Sequence, residues 1–196
     1  MGKAERTRQY IIEQAAPIFN EKGIAGTTIN DIMQATKMAK GGLYGHFDSK
    51  EDMSLAIVDH LLAKLANRVS SLVAKEKTSR LKLFALLDFY KDPLESYCQG
   101  GCPLVNFGVE ADDTNPNIKQ KIGERMLTTQ KYIAGIVKQG IADNEFTPNF
   151  DGDTFGIKMF AMVEGATIVS RVIGDASQMR TIISALKAEI NTYRKE

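Results

Sequence analysis

Residues 28–50 read TINDIMQATKMAKGGLYGHFDSK. Ile29, Ile32, Ala35, Met38, Leu43 and Phe47 recur at helical spacing, yet the stretch also carries Gly41, Gly42 and Gly45. An interior glycine costs a helix roughly 1 kcal/mol relative to alanine. The segment is therefore either a loop or a short helix whose accessible backbone matters more than its intrinsic stability. Thr28 and Asp31 have capping-box spacing and open a helix over about Ile29 to Thr36. Lys37 to Ala39 is then a short turn into a further short helix.

Upstream, a helix from about Thr7 to Lys22 carries adjacent stripes of Ile11, Ala15, Ile18 and of Ile12, Ala16, Phe19, with Gly23 as its left-handed stop. Three short helices within the first 47 residues, the last two joined by a tight turn, have the layout of a helix-turn-helix. If the apolar set packs on the first helix, Ala39, Lys40, Gly42, Tyr44, Gly45 and His46 face outward. That face has one cation, one phenol, one imidazole and little bulk.

The remaining chain also has helical period, and β-branched runs typical of strands are missing. The expected fold is all-α. Ser49 and Asp52 have capping-box spacing before a long helix to about Lys75, with Leu55, Val58, Leu62, Leu65, Val69 and Leu72 on its apolar side. Further helices are expected over Thr78 to Tyr97, kinked at Pro93, and over Leu104 to Ala111, Ile118 to Ile141, Thr154 to Val172 and Ser177 to Tyr193. CQGGCP, DDTNPN and NEFTPNFDGD are the breaks. The expected division is a helix-turn-helix domain over residues 1–48 and a helical domain over 49–196, with 49–75 as connecting helix.

The string from Ile11 to Met53, and LYGHFDSKEDM above all, resembles the TetR family of transcriptional regulators, in its AcrR-like subset. The resemblance implies that the third helix enters the major groove of an operator. Residues matching Thr28, Tyr44, His46 and Lys50 would hold phosphates, and those matching Ala39, Lys40, Gly41 and Gly42 would lie against base edges. Lys37, Ala39, Gly42 and Gly45 depart from the residues usual in the family, which leaves few side chains to read hydrogen-bond patterns. Lys40 is the long polar side chain that remains.

The resemblance further implies a C-terminal small-molecule pocket and a homodimer. Candidate pocket residues are Phe84, Leu87, Tyr90, Cys102, Asn106, Phe107, Glu110, Met126, Phe155, Met159 and Met162. The polar members are informative, because polar groups in apolar helical faces must find partners. The last two helices are too apolar for their loops to cover; Phe160, Gly165, Ala166, Ile182, Leu186 and Ile190 are the candidate dimer residues. Cys102, at a helix start beside Pro103, supports an alternative in which it senses oxidants or electrophiles with Cys98 as resolving partner.

Net charge is +1, so composition alone points neither toward nor away from nucleic acid. No eighteen-residue apolar run and no secretory signal is present, and a cytoplasmic protein that engages no membrane is expected. The two cysteines cannot complete a zinc site, no cofactor motif appears, and no phosphate loop or nucleophile-base pattern suggests an enzyme. The expected function is a ligand-responsive repressor bound to double-stranded operator DNA and released by a small-molecule inducer. A helical interaction module without DNA would leave Lys40, Tyr44, His46 and Lys50 unexplained.

Overall fold

The computed structural model describes residues 2–95 and 98–195. Among them are nine α-helices: α1 Lys3–Gly26, α2 Ile29–Thr36, α3 Lys40–Tyr44, α4 Lys50–Val73, α5 Ser79–Phe89, α6 Pro103–Ala111, α7 Pro116–Ala142, α8 Gly152–Ile173 and α9 Ser177–Thr192. The all-α expectation holds. The chain forms two compact units, Met1–Leu65 with Tyr97–Gly123 and Ala66–Ser96 with Glu124–Glu196.

In the first unit, Ile11, Ile12, Ala15, Ala16 and Phe19 of α1 are buried, as are Ile32, Leu43 and Phe47 from the next elements and Met53 and Ile57 of α4. The apolar periodicity of the short helices thus becomes core. Gly23 adopts φ 76° and interrupts α1, which resumes for one turn to Gly26. The expected stop is a kink with a short continuation. Ser49 caps α4 through its Oγ, which accepts from Asp52 N at 3.0 Å, while Asp52 reaches back to Asp48 N at 3.2 Å. Arg8 lies 4.5 Å from the Phe47 ring centre and 3.6 Å from Asp52, which ties α1 to the start of α4.

The core of the second unit runs from Leu83, Leu86 and Leu87 through Phe146, Phe150, Phe155, Met159 and Val163 to Met179, Ile183, Leu186 and Ile190. Phe150 stacks on Tyr193 with ring centres 4.2 Å apart and meets Phe155 edge-on at 5.0 Å. Glu145 accepts from Ser79 N at 2.9 Å and Arg80 N at 3.2 Å, so a residue far along the chain caps α5.

The helix expected to run to Tyr97 with a kink at Pro93 stops at Phe89 instead. A residue before proline is disfavoured in helical conformation, and Asp92 offers the chain another arrangement by accepting from Leu94 N at 3.2 Å and Glu95 N at 3.3 Å. Leu94, inside the expected helix, is consequently exposed. Tyr97, its expected end, lies outside the described residues.

Candidate nucleic-acid interface

Local sequence builds the helix-turn-helix. Thr28 Oγ accepts from Asp31 N at 3.1 Å and donates to Asp31 Oδ2 at 2.7 Å, and Thr28 N donates to the same oxygen at 2.8 Å. The Lys22 ammonium, 2.7 Å from Asp31, and the Thr28 hydroxyl and amide hold that carboxyl well below the usual carboxylate range. After α2, Lys37 takes the left-handed conformation with φ 57° and turns the chain. Lysine accepts a geometry there that glycine adopts without cost. Tyr10 OH donates to Thr36 O at 3.2 Å and fixes the end of α2 against α1.

Helix α3 is a single turn, so the quoted stretch is a helix, though a minimal one. Ala39, Lys40, Gly41, Tyr44 and Gly45 are exposed, Gly42 and His46 are half-buried, and Leu43 and Phe47 anchor the turn from below. Lys40 Nζ stands 5.9 Å from the Tyr44 ring centre. None of the α3 glycines has positive φ. A methyl group at Gly41 would meet no other part of the chain within 4 Å, and one at Gly42 would meet only the flexible Met38 side chain, its Cε at 3.2 Å and its Cβ at 3.9 Å. Internal packing does not explain why Gly41 has no side chain.

Lys50, the remaining expected phosphate contact, has a partner within the chain. It is half-buried, and its Nζ donates to Ile24 O at 2.6 Å. The structure thus brings Thr28, Ala39, Lys40, Gly41, Gly42, Tyr44 and His46 into one region of two short helices, and gives Lys50 a partner in the turn before them.

The pocket candidates do not fall into one unit. Phe84, Leu87, Tyr90, Met126, Phe155, Met159 and Met162 belong to the second unit; Cys102, Asn106, Phe107 and Glu110 belong to the first. Leu87, Phe155 and Met159 are fully buried, whereas Phe84, Tyr90, Met126 and Met162 are half-buried. Asn106 Nδ2 donates to Asn20 O at 3.0 Å and Gly100 O at 3.0 Å, and Glu110 accepts from Ile24 N at 2.8 Å and Ala25 N at 2.7 Å. These polar groups, read as pocket signals, find their partners in α1 and the 98–101 loop. Gly100 is six residues from Asn106, but the partners in α1 lie 85 or 86 residues away, beyond the reach of local pattern.

The dimer candidates need a similar correction. Leu186 and Ile190 are 1% and 0% exposed within the single chain, and Ala166 is also buried. The core of the second unit takes them. Phe160 and Ile182 remain half-buried and Gly165 exposed. In the last two helices the large apolar side chains left exposed are instead Ile157, Ile168, Val172 and Ile173 of α8. Ile157, Ile168 and Val172 form a stripe with Ala161 and Gly165, residues 157, 161, 165, 168 and 172, in steps of three and four. That spacing was the signal in the sequence, but α8 is apolar on two sides, and periodicity does not tell which side the chain itself covers.

Cys102 is buried at the N-cap of α6. Cys98 is half-buried, and burial pushes its thiol pKa up, so the neutral, unreactive form is favoured. The electrophile-sensing alternative gains no support.

Two family models match the chain: bacterial regulatory proteins of the tetR family over residues 11–57, and the Tetracyclin repressor-like C-terminal domain over residues 80–186. The chain is 40% identical over 150 residues to the HTH-type transcriptional repressor KstR2 of Rhodococcus jostii, covering 76% of this chain and 72% of that protein. The crystal structure of a TetR-family transcriptional regulator from Cytophaga hutchinsonii matches with TM-score 0.94 at 33% identity, covering 100% of this chain and 98% of that one. A TetR transcriptional regulator from Chloroflexus aurantiacus matches with TM-score 0.92 at 34% identity, covering 99% and 98%.

Proposed function

The chain belongs to the TetR family of bacterial regulatory proteins and is a ligand-responsive DNA-binding transcriptional regulator, and from that premise we propose that it is a homodimeric repressor released from its operator by a small molecule. The observation that carries the reading is α3: an anchored helical turn that exposes Lys40, Tyr44 and a bare Gly41 backbone. A surface with so little side chain admits close approach to a groove. Thr28, Tyr44, His46 and the remaining donors of Lys50 are assigned to phosphates, and Ala39, Lys40, Gly41 and Gly42 to base edges. With so few hydrogen-bonding groups at the bases, specificity is expected to lean on DNA shape and on the spacing of two half-sites.

The exposed α8 stripe of Ile157, Ala161, Gly165, Ile168 and Val172 is the surface assigned to a second copy. A two-fold contact there would pair the same stripe with itself. Phe84, Tyr90, Met126 and Met162 are the half-buried pocket candidates of the second unit. A ligand acts by preferring one separation of the two reading heads, and a few kcal/mol of differential affinity suffices. Among the described residues no helix is long and apolar enough to cross a membrane. We assign the protein to the cytoplasm, where operator DNA lies.

The experiment is selection of duplex DNA from a random pool by the purified protein, followed by titration of affinity against salt. The expected result is a two-half-site sequence whose affinity falls steeply with salt, as phosphate contacts require. Failure to enrich any duplex sinks the reading. Lys40→Ala that retains sequence discrimination supports shape readout, and loss of nearly all discrimination counts against it.

A further inference from the structure

The turn that leads from α1 into the reading helices is held from α6. Glu110 accepts from Ile24 N at 2.8 Å and from Ala25 N at 2.7 Å, two successive amides that suit an anion. Lys50 Nζ takes the carbonyl of the same Ile24 at 2.6 Å. Gly23 makes room: besides its φ of 76°, a methyl group there would lie 2.7 Å from Glu110 Oε2. Thr27, fully buried, bonds back to Gly23 O through its N at 3.2 Å and its Oγ at 2.6 Å, and Thr28 then caps α2. The chain from Gly23 to Thr28 therefore has almost no unbonded freedom, and the carboxylate anchoring it comes from 86 residues away.

The same helix grips α1 a second time, one turn earlier. Asn106 donates to Asn20 O at 3.0 Å, and Asn20 Nδ2 donates to Gln99 O at 2.6 Å and Gly101 O at 2.9 Å. Asn106 and Glu110, four residues apart on one face of α6, hold the α1 backbone on either side of its break at Gly23. Slipping α6 along α1 would break both grips together.

We propose that Glu110 is a positioning residue for DNA recognition: its carboxylate fixes the Ile24–Ala25 backbone and thereby the angle at which α2 and α3 are presented. It rests on the reading of α3 as the groove-entering helix. Glu110 acts through the turn and not by contact with DNA.

The test uses full-length protein and a duplex selected by the wild type, with a scrambled duplex as control. Glu110→Ala is expected to lose about tenfold or more in affinity for the selected duplex, since two hydrogen bonds to a charged acceptor are lost, with little change on the scrambled one. Sodium acetate, a free carboxylate for the vacated amides, is expected to restore part of the loss, whereas sodium chloride at equal ionic strength does not. Hydrogen exchange at Ile24 and Ala25 should quicken in the variant. Glu110→Gln, which keeps one acceptor oxygen and the side-chain shape, is expected to fall between and serves if the alanine variant does not fold. Equal affinity of wild type and both variants overturns the inference, as does an equal loss on both duplexes that acetate leaves unchanged. A wild type that selects no duplex overturns the proposed function and this inference together, so the two failures are told apart by the first titration.

Discussion

Gly100 and Gly41 lie in two short segments of the same unit, and a methyl group meets different surroundings in each. At Gly100 the backbone has φ 90°, and an added Cβ would stand 2.7 Å from Asn20 O and 2.9 Å from Glu21 N. Glycine is required there because one backbone presses on another. At Gly41 the backbone is right-handed helical, and an added Cβ would meet nothing within 4 Å. Nothing inside the chain asks for glycine, and alanine would be the better helix former. Of the two, Gly100 answers to the fold, and at Gly41 the fold asks for no glycine.

The largest expected effect is at the first of these positions. Gly100→Ala should lower unfolding free energy by about 3 kcal/mol, because a positive φ and a clash with rigid backbone act together; a change below about 1 kcal/mol in denaturant titration would show that the loop simply moves away. Asn20→Ala should follow, at about 2 kcal/mol, since it strands the Gln99 and Gly101 carbonyls that Asn20 serves. Gly41→Ala sharpens the contrast. It should leave stability unchanged or raise it by up to about 1 kcal/mol and yet weaken binding to the selected duplex by about tenfold, the scale of one good base contact. Equal affinity would place Gly41 outside the interface.

The smallest effect is at the cap of α2. Asp31 sits well below the ordinary carboxylate range through its hydrogen bonds from Lys22 and Thr28. A depressed folded-state pKa gives stability that is fully present above the unfolded value of about 3.9 and is lost as pH falls through the folded one. Asp31→Asn should therefore reduce stability slightly at neutral pH, and the gap to wild type should close as the solution is acidified below about pH 4. A gap that stays constant down to strong acid would show that charge has no part in the cap.

The reading head was largely legible because its signals are local. Thr28 to Asp31 and Ser49 to Asp52 cap helices across three residues, Gly23 marks the break in α1, and Ile32, Leu43 and Phe47 recur at a spacing that only a packed face explains. The misreadings share a different cause. Pro93 was read as a kink because a proline inside helical pattern permits either a kink or an end, and Asp92 decided for the end. Asn106 and Glu110 stand out in the sequence as polar groups in need of partners, but their partners in α1, Asn20 O and Ile24 N, are 86 residues away. Leu186 and Ile190 were placed at a dimer surface, and the chain buries them itself.

The sequence by itself determined the helical class and the helix-turn-helix, because hydrophobic period, capping and glycine stops act over one or two turns, and its Ile11 to Met53 string carried the resemblance to the family. Only the tertiary structure decided which apolar faces are covered, that Lys50 and Glu110 clamp the peptide of Ile24 from both sides, and that α8 leaves Ile168 and Val172 bare. Those outcomes depend on which distant segments meet, and neither a periodicity nor a motif carries that information.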